Sequence, residues 1–141
     1  MSAGSITRYW LPPILWTAVI FAASSDLFSA GHTGTWLAAA IRTIGHPPPP
    51  SQFAALHVAI RKAAHLIEYG ILGILLFRAL RADRQTAWKL RWSVAAIVIA
   101  AAVGSLDEWH QLFVRTREAS AWDVLIDATG AALSQVLFFR K

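Results

Sequence analysis

Arg61-Lys62-Ala63-Ala64-His65-Leu66-Ile67-Glu68-Tyr69 sets two cations, a histidine, a carboxylate and a phenol at the mouth of the apolar run 71–80. That run reads as a membrane span, so water reaches these groups only over the first turns. An ionisable cluster on a spanning helix is costly and marks a functional site by default. Two later stretches, 107–111 and 117–127, repeat the pattern.

Composition supports a membrane reading. Of 141 residues, 56% are hydrophobic and only 15% charged, with seven tryptophans, which suits one membrane domain over 1–141 better than a soluble fold. The absence of cysteine excludes disulfides, thiolate metal sites and cysteine nucleophiles. The net charge of +5 gathers between hydrophobic segments, the arrangement of membrane topology rather than of nucleic-acid binding.

The expected fold is all-α: a polytopic membrane protein, a four-transmembrane-helix bundle with spans near 9–25, 63–80, 92–107 and 121–139. Tyr9 and Trp10 suit an interface, Pro12 and Pro13 suit an early helical turn, and Ser24-Ser25-Asp26 suits a cap. No convincing small-residue cleavage site follows 14–23, so the first apolar run reads as a retained span. Between spans one and two, Trp36, Leu37, Ala40, Ile41 and Ile44 share a face with Arg42 off it, the pattern of a short interfacial helix. Gly45 closes that helix, prolines 47–50 form a stiff spacer, and Ser51 is the expected N-cap of the next helix.

Orientation follows from counting. Arg8, Arg78, Arg81, Arg84, Lys89, Arg91, Arg140 and Lys141 lie on one side, against Arg42, Arg61, Lys62, Arg115 and Arg117 on the other. The positive-inside rule then places both termini in the cytoplasm and all three polar stretches at the outer face.

Helical spacing gathers Lys62, His65, Glu68, Tyr69 and Leu72 into about a third of a circumference. Asp107, His110 and Gln111 share another face, with Glu108 at its edge, and Ser120, Asp123, Asp127, Gly130 and Ser134 share a third. Lipid satisfies none of these groups, so the three stripes are expected to face one another, with Arg61 turned away. Simpler accounts exist for some of them. Lys62 can snorkel, Ser120-x-x-Asp123 has capping-box spacing, and Asp107 and Glu108 can merely finish a span. Asp127 resists such an account, because it lies two turns inside span four.

His65-x-x-Glu68 and Asp107-x-x-His110 resemble helical metal-ligand pairs, but Lys62 and Arg117 beside them oppose a dication, so no metal or other cofactor is expected. Ser120 has no base at fixed spacing and is a weak nucleophile candidate. Mixed cations and acids suit instead a polyanionic headgroup, with Arg117 gripping phosphate bidentately and Lys62 acting as a point charge. If the site is catalytic, His65 paired with Glu68, Asp107 or Glu108 is the expected acid–base machinery.

Four motifs in order, Ile14-Leu15-Trp16…Phe21…Ser24-Ser25, Lys62-x-x-His65-x-x-x-Tyr69-x-x-Leu72, Asp107-Glu108-x-His110-Gln111-x-Phe113 and Arg117-Glu118-x-Ser120-x-x-Asp123-x-x-x-Asp127-x-x-Gly130, resemble the VanZ-like family over nearly the whole chain. The resemblance implies a small multi-pass protein of the bacterial cytoplasmic membrane, and the name-giving member is associated with teicoplanin resistance. Two departures stand out. Arg115-Thr116 occupies the place of a frequent Pro-Gly, and Asp127 that of a common asparagine. The aspartate is expected to be protonated or paired with Lys62 or Arg117.

Three functional expectations result. The first is an outward pocket of Lys62, His65, Tyr69, Asp107, Glu108, Gln111, Arg117, Ser120, Asp123 and Asp127 that binds an anionic lipid or lipid-linked cell-wall precursor headgroup. The second is a membrane-embedded hydrolase or transferase acting on such a headgroup. The third is an accessory protein whose polar cluster only ties helices together.

Overall fold

A computed structural model describes residues 3–25, 30–45, 49–82, 88–114 and 119–139, and they form helices: α1 (Ala3–Ala23), α2 (Ala30–Ile44), α3 (Pro50–Arg81), α4 (Leu90–Gln111), α5 (Ala121–Ser134) and the short α6 (Val136–Phe139). The expectations for Asp26, Pro47, Pro48, Arg84, Arg115, Arg117, Glu118, Arg140 and Lys141 lie outside the described residues. Three stretches are long and apolar enough to cross a membrane: Pro50–Arg81, Leu90–Gln111 and Ala121–Phe139. The 21-residue α1 falls outside that set by composition, since Arg8, Tyr9, Trp10, Pro12 and Pro13 interrupt its apolar residues. Together with the family match given below, these stretches make the chain a membrane protein in contact with lipid.

The ends of the helices differ from expectation in instructive ways. Helix α1 begins at Ala3, so Pro12 and Pro13 lie inside it, where their missing N–H groups leave carbonyls of the preceding turn without a helical donor. Helix α3 starts at Pro50, with Pro49 rather than Ser51 as its N-cap and no side-chain cap bond. Proline is suited to the first helical position because its missing N–H has no helical partner there. At 32 residues α3 is about 48 Å long, well beyond a ~30 Å hydrocarbon core, so its first turns extend past the apolar layer. Helix α4 carries Asp107, Glu108 and Gln111 in its last turns, in keeping with the helical face they were expected to share.

The bundle packs α3 against α4 and α5, α4 against α5, and α1 along α3. Its core contains Ile20, Tyr69, Leu72, Leu76, Phe77, Trp92, Ala96, Ala100 and Ala131. Away from the polar groups, Phe77 stacks on Phe138 at 4.2 Å and meets Trp92 edge-on at 6.3 Å. The outer surface carries Ile67, Val98, Trp122, Leu125 and Leu133, as expected where lipid replaces water as solvent. Small residues set the spacing of α3 and α5. A Cβ on Gly130 would run into the Leu66 carbonyl oxygen, and one on Gly73 would sit 2.9 Å from the Ala131 Cα. Close approach of this kind is how membrane helices gain contact in lipid, where hydrophobic burial drives association weakly.

Candidate functional site

Each buried stripe of the core turns polar at the same end of the bundle. On α3, Leu76, Leu72 and Tyr69 lead to His65; on α4, Ala96, Ala100 and Gly104 lead to Asp107, Glu108 and Gln111. On α5, Ser134, Ala131 and Gly130 lead back to Asp127 and Asp123. Helical periodicity keeps residues three and four apart on one face, so the elements that bury the core also bury these charges. Asp107, Gln111 and Asp127 are fully buried, Asp123 is 1% exposed, and His65 and Glu108 are 5% and 6% exposed.

Asp127 is paired with His65 rather than with Lys62. His65 Nδ1 lies 2.9 Å from Asp127 Oδ1, both side chains being buried. The carboxylate draws a proton to Nδ1 and leaves Nε2 as the free face of the imidazole. The other Asp127 oxygen, Oδ2, rests against α4, where a Cβ on Gly104 would lie 2.7 Å from it. Lys62 and Arg61 go to Asp123 instead: Arg61 Nη2 is 3.0 Å from Oδ2 and Lys62 Nζ 3.7 Å from Oδ1. Both are ion pairs without hydrogen-bond alignment.

Asp107, expected beside His65, accepts from Ser24 Oγ at 2.8 Å and from Gln111 Nε2 at 3.0 Å. The acid partner of His65 is therefore Asp127, not Glu68, Asp107 or Glu108. Glu108 Oε2 accepts from the backbone N–H of Ser120 at 2.6 Å, the place a capping-box acid would take. Ser120 is indeed the N-cap of α5, but its side chain makes no cap bond, and Asp123 is drawn away to Arg61. Glu68 takes Trp16 Nε1 on its carbonyl oxygen at 2.9 Å, and its half-buried side chain is not part of the His65 pair. His110 packs its ring on Phe21 at 5.8 Å rather than joining Asp107.

Of the expected pocket residues, Lys62, His65, Tyr69, Asp107, Glu108, Gln111, Ser120, Asp123 and Asp127 meet at this end of the bundle, and Arg117 lies outside the described residues. Three participants are additional. Arg61 was expected to face away, yet its guanidinium reaches Asp123 by the length of its side chain. Ser24, read as a cap, holds Asp107, and Trp16 ties α1 to α3. The signal for Ser24 was its place in the first motif, which capping already explained.

Several buried polar atoms of the cluster have no hydrogen-bond partner among the described residues: Tyr69 Oη, Asp107 Oδ1, Glu108 Oε1, Gln111 Oε1 and Asp127 Oδ2. Tyr69 lies parallel to His65 at 6.3 Å. The cluster thus combines an oriented imidazole, an excess of acceptors, and two cations engaged on one acid. Removing Arg61 should expose the asymmetry of that last contact. Arg61→Ala is expected to cost about 1–2 kcal/mol, and Lys62→Ala, with a 43% exposed side chain at 3.7 Å, roughly 0.5 kcal/mol or less. Melting curves of the purified variants in detergent check the order, and a larger loss from Lys62→Ala would contradict the pairing.

A family model described as VanZ/LLP1 matches residues 9–140, nearly the whole chain. Comparison with curated proteins and with solved structures gives no match.

Proposed function

The chain belongs to the VanZ/LLP1 family, and we propose that its polar end binds the headgroup of an envelope lipid or lipid-linked cell-wall precursor. The observation that carries this reading is the set of buried, partnerless acceptors on Asp107, Glu108, Gln111 and Asp127, with the Tyr69 hydroxyl beside them. Buried polar groups are nearly always satisfied, and the hydroxyls and amines of a headgroup supply donors for these. Its phosphate would lie toward Arg61 and Lys62. Purified protein in nanodiscs, challenged with phosphatidylethanolamine, phosphatidylglycerol and undecaprenyl-linked substrates, should retain at least one class above a neutral-lipid background. Equal retention of all would sink the reading. If the retained class is the cell-wall precursor, a contribution to teicoplanin resistance follows, and an unchanged inhibitory concentration on expression in a susceptible host would remove it.

A second reading, hydrolysis or transfer at the same headgroup, is favoured by the His65–Asp127 pair, because an acid-oriented imidazole is the usual general base. Turnover that His65→Ala abolishes while headgroup retention survives would select it.

The proposed membrane arrangement has four spans, α1 being the fourth, with α2 at the interface and the polar end facing outward across the bacterial cytoplasmic membrane. Support comes from α1 being tied to the bundle by Trp16 and Ser24, and from Arg8, Arg78, Arg81, Lys89 and Arg91 lying toward the opposite end. Reporter fusions between α3 and α4 should be cytoplasmic, and an active secreted-phosphatase fusion there would reverse the orientation.

A further inference from the structure

We propose that His65, Glu108 and Asp123 form a site for one divalent transition-metal ion of the zinc or manganese class. One donor atom from each residue lies within 4.8 Å of the other two, and the residues come from α3, α4 and α5 respectively. This donor set differs from the i, i+3 pairs visible in the sequence, because it exists only across three helices. A single ion with bonds of about 2.0–2.2 Å holds its donors roughly 3.0–3.5 Å apart, so binding needs a closure of about 1 Å by side-chain torsions.

Three further observations point to a ligand. Glu108 is buried and its Oε1 has no partner among the described residues, although Oε2 is already oriented by Ser120 N–H. His65 is held from behind: with Nδ1 engaged by Asp127, Nε2 presents its lone pair, the carboxylate–histidine–metal arrangement in which an outer acid fixes ring and tautomer. Finally, Asp107, Glu108, Asp123 and Asp127 face only Arg61 and Lys62 as full cations among the described residues of the cluster. Among the described residues four carboxylates against two cations leave an excess of negative charge, which a dication offsets. Arg61 occupies Asp123 Oδ2, while Oδ1 has only the 3.7 Å contact with Lys62 and remains able to coordinate. One imidazole with two carboxylates suits zinc, manganese or ferrous iron better than calcium or magnesium. Three protein ligands also leave an open position, where a headgroup phosphate or hydroxyl can bind beside Arg61 and Lys62.

The inference rests on the proposed headgroup site only for its location, and the two are separable. Full-length protein in detergent is stripped with a chelator and dialysed against Zn²⁺ or Mn²⁺, and bound metal is measured by elemental analysis. Wild type is expected to retain close to one ion per chain. Asp127→Asn, which acts through His65, should weaken binding by about 10- to 100-fold, and Glu108→Gln, which keeps an acceptor for Ser120 N–H, by at least that much. Asp123→Asn gives an independent test should Glu108→Gln fail to fold. His57→Gln, which alters a histidine outside the cluster, should leave binding unchanged. Folded wild type that retains no ion overturns the proposal, as does binding insensitive to both Glu108→Gln and Asp123→Asn, or binding lost in His57→Gln. Stripped protein that retains lipid but never metal overturns the metal site and spares the headgroup reading. Metal without headgroup retention supports the site and sinks that reading.

Discussion

Gly130→Ala is expected to destabilise the protein by roughly 3 kcal/mol, although it adds one methyl group and raises helix propensity. The added Cβ meets the Leu66 carbonyl oxygen head-on, with the Leu66 carbonyl carbon at 3.1 Å and the Gly70 nitrogen at 3.2 Å. All three are backbone atoms of α3, so no side chain can rotate aside, and the two helices must separate. Separation loosens the contacts of Gly73 with Ala131 and Ser134, one turn further along. It also draws Asp127, three residues before Gly130, away from His65. Loss of stability and loss of the polar site should therefore appear together. Gly34→Ala is the matched control, because a Cβ there meets nothing within 4 Å. Melting temperatures in detergent decide the matter: if Gly130→Ala melts with wild type, α3 and α5 do not pack this closely.

The second large effect belongs to the His65–Asp127 pair. Removing either partner leaves a buried polar group without its counterpart, at about 3–5 kcal/mol, a large share of the 5–15 kcal/mol that holds a typical domain folded. Since each single variant destroys the same contact, the double variant should cost much less than the sum of the two. A double-mutant cycle of His65→Ala and Asp127→Ala, read by thermal or denaturant unfolding, is expected to give a coupling of roughly 2–3 kcal/mol. Additive losses would mean that the two residues do not share an interaction. Asp127→Asn keeps an acceptor oxygen opposite Nδ1 and loses mainly the charge assistance, so it should cost no more than about 1–1.5 kcal/mol. Asparagine and aspartate can then serve one structural role at this position, while only aspartate adds to the negative charge that would hold a cation.

Much of the architecture was legible in the residues. The apolar runs located α3, α4 and α5, and the spacing of His65, Tyr69 and Leu72 already marked the buried face of α3. The spacing of Asp123, Asp127, Gly130 and Ser134 did the same for α5. Periodicity reports which residues share a face and at what depth, and nine expected pocket residues do converge at one end. Ser51 and Pro12 show its limit at helix ends, where proline tolerance depends on which residue happens to begin the helix.

Periodicity carries no information about which acid faces which base. Lys62 and Asp127 are each on an inward stripe, yet His65 takes Asp127 while Arg61 and Lys62 converge on Asp123. That choice depends on separations of a few ångströms between helices distant in sequence, and those separations are set by Gly130 against Leu66 and by Asp127 against Gly104. The stretch from Arg61 to Tyr69 announced a buried polar wall by composition and spacing. Its pairing with α5, and the meeting of His65 with Glu108 and Asp123, arise from close backbone approach, which single-helix spacing does not encode.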